Sequence, residues 1–473
     1  MEKQTFDYGM IGLGTMGRNL VYNMCDHQYA VAGYDKDMAM VDTLEREKNN
    51  SNLFGARTIK ELMDALKNPR TILLLVPAGS IVDAVIEELV PLLSKDDLII
   101  DCGNSHFTDT DRRMIKLAKE NINFMGIGIS GGEYGARNGP SIMPGGHKEI
   151  YDRVAPMLQA IAAKADGEPC VTYLGNGSAG HYVKMVHNGI EYALMELIAE
   201  TYQLLKQGLG LKNAELSEVY SKWNEGPLHS FLISITAEIF KKKDDLTDND
   251  LVDMILDSAH QKGTGAWTTE DAMALQVPIP VIDIAVSMRN ISIFKEERLL
   301  ADKQLNGPNR EINFNKDELI ALLQDALRFS IITVFAQGME LLQKASEVYK
   351  YGFNLKDIAA IWRGGCIIRA SILEDICVAF EKQPSLSNLM LSDVFKEQLV
   401  DLQKKLRQVA CLGINAGIPL PAFLAALAYF DSYRSSWLPG NLLQAQRDYF
   451  GAHTYERIDR EGIFHTQWNQ KEG

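Results

Sequence analysis

Residues 8–17 read Tyr8-Gly9-Met10-Ile11-Gly12-Leu13-Gly14-Thr15-Met16-Gly17. An apolar run ends in glycines at GxGxxG spacing, and residues 16–27 continue with helical periodicity. In a strand–turn–helix context each glycine has a task. Gly12 permits the tight turn, Gly14 lets backbone approach a pyrophosphate, and Gly17 lets the helix pack on the strand. The helix N-terminus adds free N–H groups and partial positive charge. Alone the motif is weak, since glycine turns are common. Its place near the start of the chain, with Asp35 closing the next apolar run, makes a dinucleotide site the stronger reading. Gly12, Leu13, Gly14, Thr15, Met16, Gly17, Asp35 and Lys36 are the candidate cofactor contacts.

A carboxylate at Asp35 can accept hydrogen bonds from ribose hydroxyls but meets a 2′-phosphate as a like charge. Two unit charges 4 Å apart repel by roughly 4 kcal/mol at an effective dielectric near 20. Lys36 reduces that, yet the sign favours NAD, with NADP as the alternative. The bland role for Asp35 is to cap the following helix.

Working outward, residues 30–34, 71–76, 98–101 and 123–127 read as further buried strands, with a helix at 80–93 between them. Such alternation predicts an α/β, Rossmann-type, doubly wound domain with a parallel sheet. Gly175-Asn176-Gly177-Ser178-Ala179-Gly180 marks a boundary. Beyond it the strand signal ends, which predicts a large all-helical domain. The expected limits are 1–177, 178–438 and a polar, aromatic tail at 439–473.

Two helical segments, 190–230 and 332–369, look alike. Leu216 and Trp223 in the first correspond to Leu355 and Trp362 in the second, and Gly226 and Gly365 follow the tryptophans by three. A duplicated helical unit is expected.

The 473 residues, 46% hydrophobic and 23% charged, suit a globular protein of two or three domains. A net charge of −14 argues against nucleic acid or an anionic membrane surface as partner. An anionic ligand would need locally gathered cations. No signal peptide is apparent, and apolar stretches such as 419–430 are too short to span a membrane. The six scattered cysteines read as reduced thiols, so a cytoplasmic location is expected. No metal-ligand spacing occurs, and chemistry without a metal is expected.

In residues 181–192, HYVKMVHNGIEY, a row forms at i, i+3, i+4, i+7 and i+8: Lys184, His187, Asn188, Glu191 and Tyr192. Val183, Val186, Ile190, Leu194 and Leu197 lie opposite as a core face. A solvated polar stripe is the ordinary reading of such a row. Against it, Asn, His and Tyr mix with the charges, and the row opens just past the boundary, where clefts form. Oxidising a secondary alcohol needs a base, which a lysine supplies when burial or cations lower its pKa. Asn104 and Ser130-Gly131-Gly132 follow strand ends, where ligands bind in this architecture. Gln261-Lys262-Gly263-Thr264-Gly265 joins a lysine and a hydroxyl on a flexible loop, a candidate phosphate grip. Arg289 and Arg447 read as surface arginines.

These segments, with residues 101–105, SGGEYGAR at 130–137, GPSIMPGG at 139–146 and QAQRDYFGAHTYE at 444–456, resemble the decarboxylating 6-phosphogluconate dehydrogenases over essentially the whole chain. KMVHNGIEY at 184–192 and the last segment are the most specific. The resemblance implies oxidative decarboxylation of 6-phosphogluconate to ribulose 5-phosphate in the pentose phosphate pathway. It implies Lys184 as the base at the C3 hydroxyl and Glu191 as the acid at C1 of the enediol. Asn104, Ser130, Gly131, Gly132, His187 and Asn188 would hold the sugar acid. Tyr192, Lys262, Thr264 and Arg289 would hold the phosphate. Arg447 and His453 would enter from the tail of the partner in a homodimer, and Val76 and Asn104 would touch the cofactor. Asp35-Lys36-Asp37 departs from the Asn-Arg-Thr run of NADP-linked members, Ala266 from a common lysine, and Pro77 from a usual lysine or threonine. A shorter β-hydroxyacid dehydrogenase would have no use for Arg447 and His453. A silent binding protein would not need Lys184 and Glu191.

Overall fold

The chain, described from a computed structural model at residues 5–47 and 52–468, begins with seven strands in one sheet. They are β1 (Tyr8–Ile11), β2 (Val31–Tyr34), β3 (Leu53–Gly55), β4 (Thr71–Leu74), β5 (Leu98–Asp101), β6 (Asn123–Ser130) and β7 (Ser141–Gly145). Their order is β3-β2-β1-β4-β5-β6-β7. β1 to β6 pair in parallel, as expected, while β7 runs antiparallel to β6. An antiparallel return needs only the short α6 (Gly132–Asn138) between the strands, where a parallel one needs a long crossover.

Helices α1 (Thr15–Asp26), α2 (Met38–Arg46), α3 (Ile59–Ala65), α4 (Ser80–Leu89), α5 (Phe107–Ala118) and α7 (Lys148–Ile161) complete this part. Strand alternation sends Met10, Leu73 and Ile100 into one apolar layer and Ile11, Leu74 and Ile99 into the other. With both faces covered, β4 and β5 are buried throughout, which is why they read as unbroken apolar runs. A short hairpin, β8 (Lys164–Ala165) and β9 (Glu168–Pro169), leads onward.

The rest is helical: α8 (Ala179–Gln203), α9 (Asn213–Asn224), α10 (Phe231–Ile239), α11 (Leu251–Met254), α12 (Thr264–Ala274), α13 (Pro280–Ser292), α14 (Lys295–Gln304), α15 (Lys316–Tyr349), α16 (Leu355–Ile361), α17 (Ile372–Lys382), α18 (Lys396–Ala416), α19 (Pro421–Tyr433) and α20 (Gly440–Gly451). The sheet and the helices as far as Ala426 form one compact unit. α8 joins them, because Gly180 lies against the backbone of Gly126, Met143 and Gly145 with no room for a Cβ. The two similar segments meet where residues 230 and 370 form an antiparallel bridge, and Leu216, Trp223, Leu355 and Trp362 are all buried.

In α15, length and a mean hydropathy of 1.7 over 18 residues would suit a membrane span, yet 67% of that window is buried within the protein. It is the central core helix, packed on α8 and α18. All six cysteines are unpaired.

The second compact unit, Leu427–Gly473, starts earlier than the expected tail. α20 and the hairpin β10 (Tyr455–Glu456) and β11 (Ile463–Phe464) gather around a fully shielded carboxylate. Asp448 accepts from the Thr454 and Thr466 N–H groups and Trp468 Nε1, and meets His465 Nδ1 at 2.8 Å. Burial would raise its pKa, but these donors, His465 foremost, outweigh that and hold it well below the usual range.

Candidate active site

The cofactor end is built from backbone. Gly12 has φ +98°, a left-handed value, and Gly17 sits so close to the Gly12 carbonyl that a Cβ has no room. Gly14 has open space around its missing Cβ. α1 starts there without a side-chain cap, leaving its first N–H groups for an anion. Asp35 accepts from Leu13 N–H at 2.7 Å and Asp37 N–H at 2.9 Å. The cap of α2 is Asp37, so Asp35 is tied to the glycine turn instead. Lys36 is ion-paired with Glu88 at 2.7 Å.

A cleft of about 720 Å³ opens beside this turn. Gly14, Thr15, Met16, Gly17, Val76, Asn104 and Lys262 line it, with Pro77, Ile129 and Trp267. Open space at Gly14, an uncapped helix start and a ribose-type acceptor at Asp35 fit a dinucleotide.

Sequence reasoning missed what holds this cleft in shape. Arg113, fully buried, donates to Asp101 Oδ2 (3.3 Å), Ser105 Oγ (3.1 Å), Asp83 Oδ1 (2.9 Å) and the Gly79 carbonyl (2.9 Å). It thereby joins the turn after β4 to the turn after β5 that carries Asn104. No local spacing announces partners that come from three separate elements.

The end of β6 links the cleft to α8. A Cβ on Gly128 would overlap the Lys184 stem, Ile129 lines the cleft, and Ser130 Oγ lies 3.3 Å from His187 Nε2. Alternate residues of a strand face opposite ways, so these neighbours serve both sides.

The row on α8 is largely buried, not solvated: Lys184 is 7% exposed, His187 0%, Asn188 8% and Tyr192 6%, while Glu191 is half-buried. His187 Nδ1 lies 3.1 Å from Asn188 Oδ1 and 3.9 Å from Glu191 Oε2. Burial, reinforced by Lys184, pushes His187 well below its ordinary pKa. Burial lowers the Lys184 amine and raises the Glu191 carboxyl. Their mutual attraction acts the other way on both, and desolvation wins. The result is an amine readier to be neutral and a carboxyl readier to hold a proton, as a base and an acid require.

Beyond Glu191 the helices close tightly on Tyr192. The Arg289 guanidinium stacks 3.5 Å above its ring, and a Cβ on Gly265 would come within 2.6 Å of the ring. Thr268 Oγ1 donates to the Met185 carbonyl at 3.0 Å and fills the space opposite Gly189. Thr264 and Gly265, expected in a flexible loop, form the first turn of α12, whose start has no side-chain cap. Gly263, at φ +98°, makes that turn possible. Tyr192, Thr264 and Arg289 thus converge, while Lys262 lies in the cleft.

Gly131 and Gly132 both have positive φ, and Gly132 faces open space. Arg447 and His453 lie in the second unit and are exposed there, Arg447 bonded to Gln444 Oε1 at 3.0 Å.

A family model described as the NAD binding domain of 6-phosphogluconate dehydrogenase matches residues 7–175, and one described as that enzyme's C-terminal domain matches 180–468. The chain belongs to the 6-phosphogluconate dehydrogenase family. The NADP(+)-dependent, decarboxylating member from Bacillus subtilis is 51% identical over 99% of this chain and 100% of its own length. The decarboxylating member from Escherichia coli is 50% identical over the same shares. The Plasmodium falciparum 6-phosphogluconate dehydrogenase, solved with NADP+ and with 6-phosphogluconate, superposes with TM-score 0.94 at 44% identity, covering 98% of this chain and 100% of that one.

Proposed function

We propose that this protein oxidises and decarboxylates 6-phospho-D-gluconate to D-ribulose 5-phosphate and carbon dioxide. The observation that carries this is the buried Lys184 and half-buried Glu191 on one helix face, shifted in opposite useful directions, in a chain whose full-length relatives are named for that reaction. Bound in the cleft, the dinucleotide supplies the hydride acceptor. Lys184 takes the proton from the C3 hydroxyl. As carbon dioxide leaves the 3-keto acid, protonated Lys184 returns its proton to the former C3 oxygen to give the enediol. Glu191 then gives a proton to C1 while Lys184 takes that hydroxyl proton back, leaving the ketone of ribulose 5-phosphate. Asn104, Ser130, Gly131, Gly132, His187 and Asn188 hold the sugar acid, and Tyr192, Lys262, Thr264 and Arg289 hold the phosphate. Stoichiometric release of ribulose 5-phosphate and carbon dioxide from purified protein tests this; reduced dinucleotide without carbon dioxide would overturn it.

NAD is the favoured cofactor in this reading. Asp35 presents a carboxylate fixed by two backbone donors, and Lys36 is engaged by Glu88. The Bacillus relative carries the opposite label, so initial rates with both dinucleotides decide. A preference for NADP of about tenfold, worth about 1.4 kcal/mol, would end the case for Asp35.

The active form is a homodimer in which Arg447 and His453 come from the tail of the partner subunit. Large apolar side chains exposed between 254 and 305 support a second chain as cover, among them Ile255 (61%), Leu256 (63%) and Leu300 (55%). Mixed Lys184→Met and Arg447→Ala chains should regain activity, because one site of each mixed dimer then has both residues. No regain would place Arg447 in its own chain's site or outside any.

A further inference from the structure

The two similar helical segments end in tryptophan–glycine turns used very differently. In the first, Trp223 is buried edge-on to Tyr220, ring centroids 5.1 Å apart. Gly226 bonds within its own turn, donating to the Trp223 carbonyl and accepting from His229 N–H, and a Cβ there would meet nothing closer than Gln324 at 3.6 Å. Nothing about that turn needs glycine.

The second turn is inserted into the sugar-acid half of the site. Gly365 has φ +66°, and a Cβ would crowd Gly139, Pro140 and Ala163 at 2.6 Å. Its carbonyl accepts from Ser141 N–H at 2.9 Å and presses against Gly131. The Ile361 carbonyl accepts from Ser141 Oγ at 2.7 Å. Trp362 meets the His187 ring edge-on, centroids 5.6 Å apart at 74°. One turn therefore touches both the Ser130–Gly132 loop and the imidazole that faces Ser130.

We propose that the turn from Trp362 to Cys366 is a strut that positions His187 and the Gly131 peptide for the sugar acid, with Trp362 as the positioning residue. The proposal rests on the assignment of 6-phosphogluconate as substrate. Both tryptophan Nε1 atoms are buried without a hydrogen-bond partner, so phenylalanine at either place removes ring volume and no hydrogen bond. The two segments thus supply a matched pair of variants, one beside the site and one away from it.

Steady-state kinetics and melting temperatures of wild type, Trp362→Phe, Trp223→Phe and Ser141→Ala test the strut. Trp362→Phe should raise KM for 6-phosphogluconate about fivefold or more while leaving that for the dinucleotide within about twofold. Trp223→Phe should lower the melting temperature comparably and leave both KM values in place. Ser141→Ala, which removes the hydroxyl bond to the Ile361 carbonyl and no ring volume, should show the same split in smaller degree; it stands in if Trp362→Phe does not fold. Equal KM effects from the two tryptophans, or an unchanged sugar KM in Trp362→Phe and Ser141→Ala, would overturn the strut. A wild type that does not turn over 6-phosphogluconate would overturn the substrate assignment and this proposal with it.

Discussion

The glycine turn after β1 and the polar row of α8 prepare for ligands by opposite means. The turn offers backbone N–H groups and the empty space at Gly14, and a side chain at Gly12 or Gly17 would collide with neighbouring backbone. The row offers side chains held out of water by β6, α12 and α15. The first costs backbone freedom, the second desolvation of ionisable groups. Recognition by backbone depends on shape, whereas the row depends on shifted titration, so substitutions in the two places should fail differently.

The sharpest break comes from Lys184→Met. Turnover should fall about a thousandfold or more, the upper range for loss of a positioned base. Calorimetry should still show 6-phosphogluconate binding, and the melting temperature should hold or rise because a desolvated amine is gone. Retained turnover would remove Lys184 from the base role.

Next come two glycines that separate packing from binding. Gly17→Ala forces the helix from the Gly12 carbonyl, so both the melting temperature and dinucleotide affinity should fall, the latter about tenfold or more. Gly14→Ala meets open space, so it should weaken dinucleotide binding without a change in melting temperature. Equal melting losses would mean that the space at Gly14 is not kept for a ligand.

A smaller effect is expected at Asp35→Asn, which keeps an acceptor for Leu13 N–H but removes the charge. The ratio of kcat/KM for NADP over NAD should rise about tenfold or less, given solvent screening. An unmoved ratio would leave Asp35 with only the glycine turn to hold.

The smallest lies at the far end of α8. Burial raises Glu200 to about 8, although it accepts from Ala422 N–H (2.6 Å) and Phe423 N–H (3.0 Å). A folded value above the ordinary 4.5 gives stability that is present below that pH and lost as pH rises through about 8. Melting temperatures of Glu200→Gln should therefore decline less than those of wild type between these limits. Parallel curves would show that the carboxylate stays charged throughout.

The glycine turn, the parallel order and the row of five were legible because each is a local period or spacing. β3 and β7 were not, being a three-residue strand and an antiparallel one with a proline. Arg113 escaped notice because its partners Asp83, Asp101 and Ser105 adjoin only when two turns fold together. The α12 start was read as loose, since Gly263 and Gly265 look alike in sequence. In the fold one turns the chain and the other makes room for Tyr192.

What the sequence by itself determined is which groups share a helix face and where the chain can turn tightly, since both follow from residue spacing and from the absence of a Cβ. Only the tertiary structure decided that the face is largely buried. Burial is a sum over β6, α12, α15 and the turn at Trp362, elements far apart along the chain. That sum sets whether Lys184 gives up its proton and Glu191 keeps one.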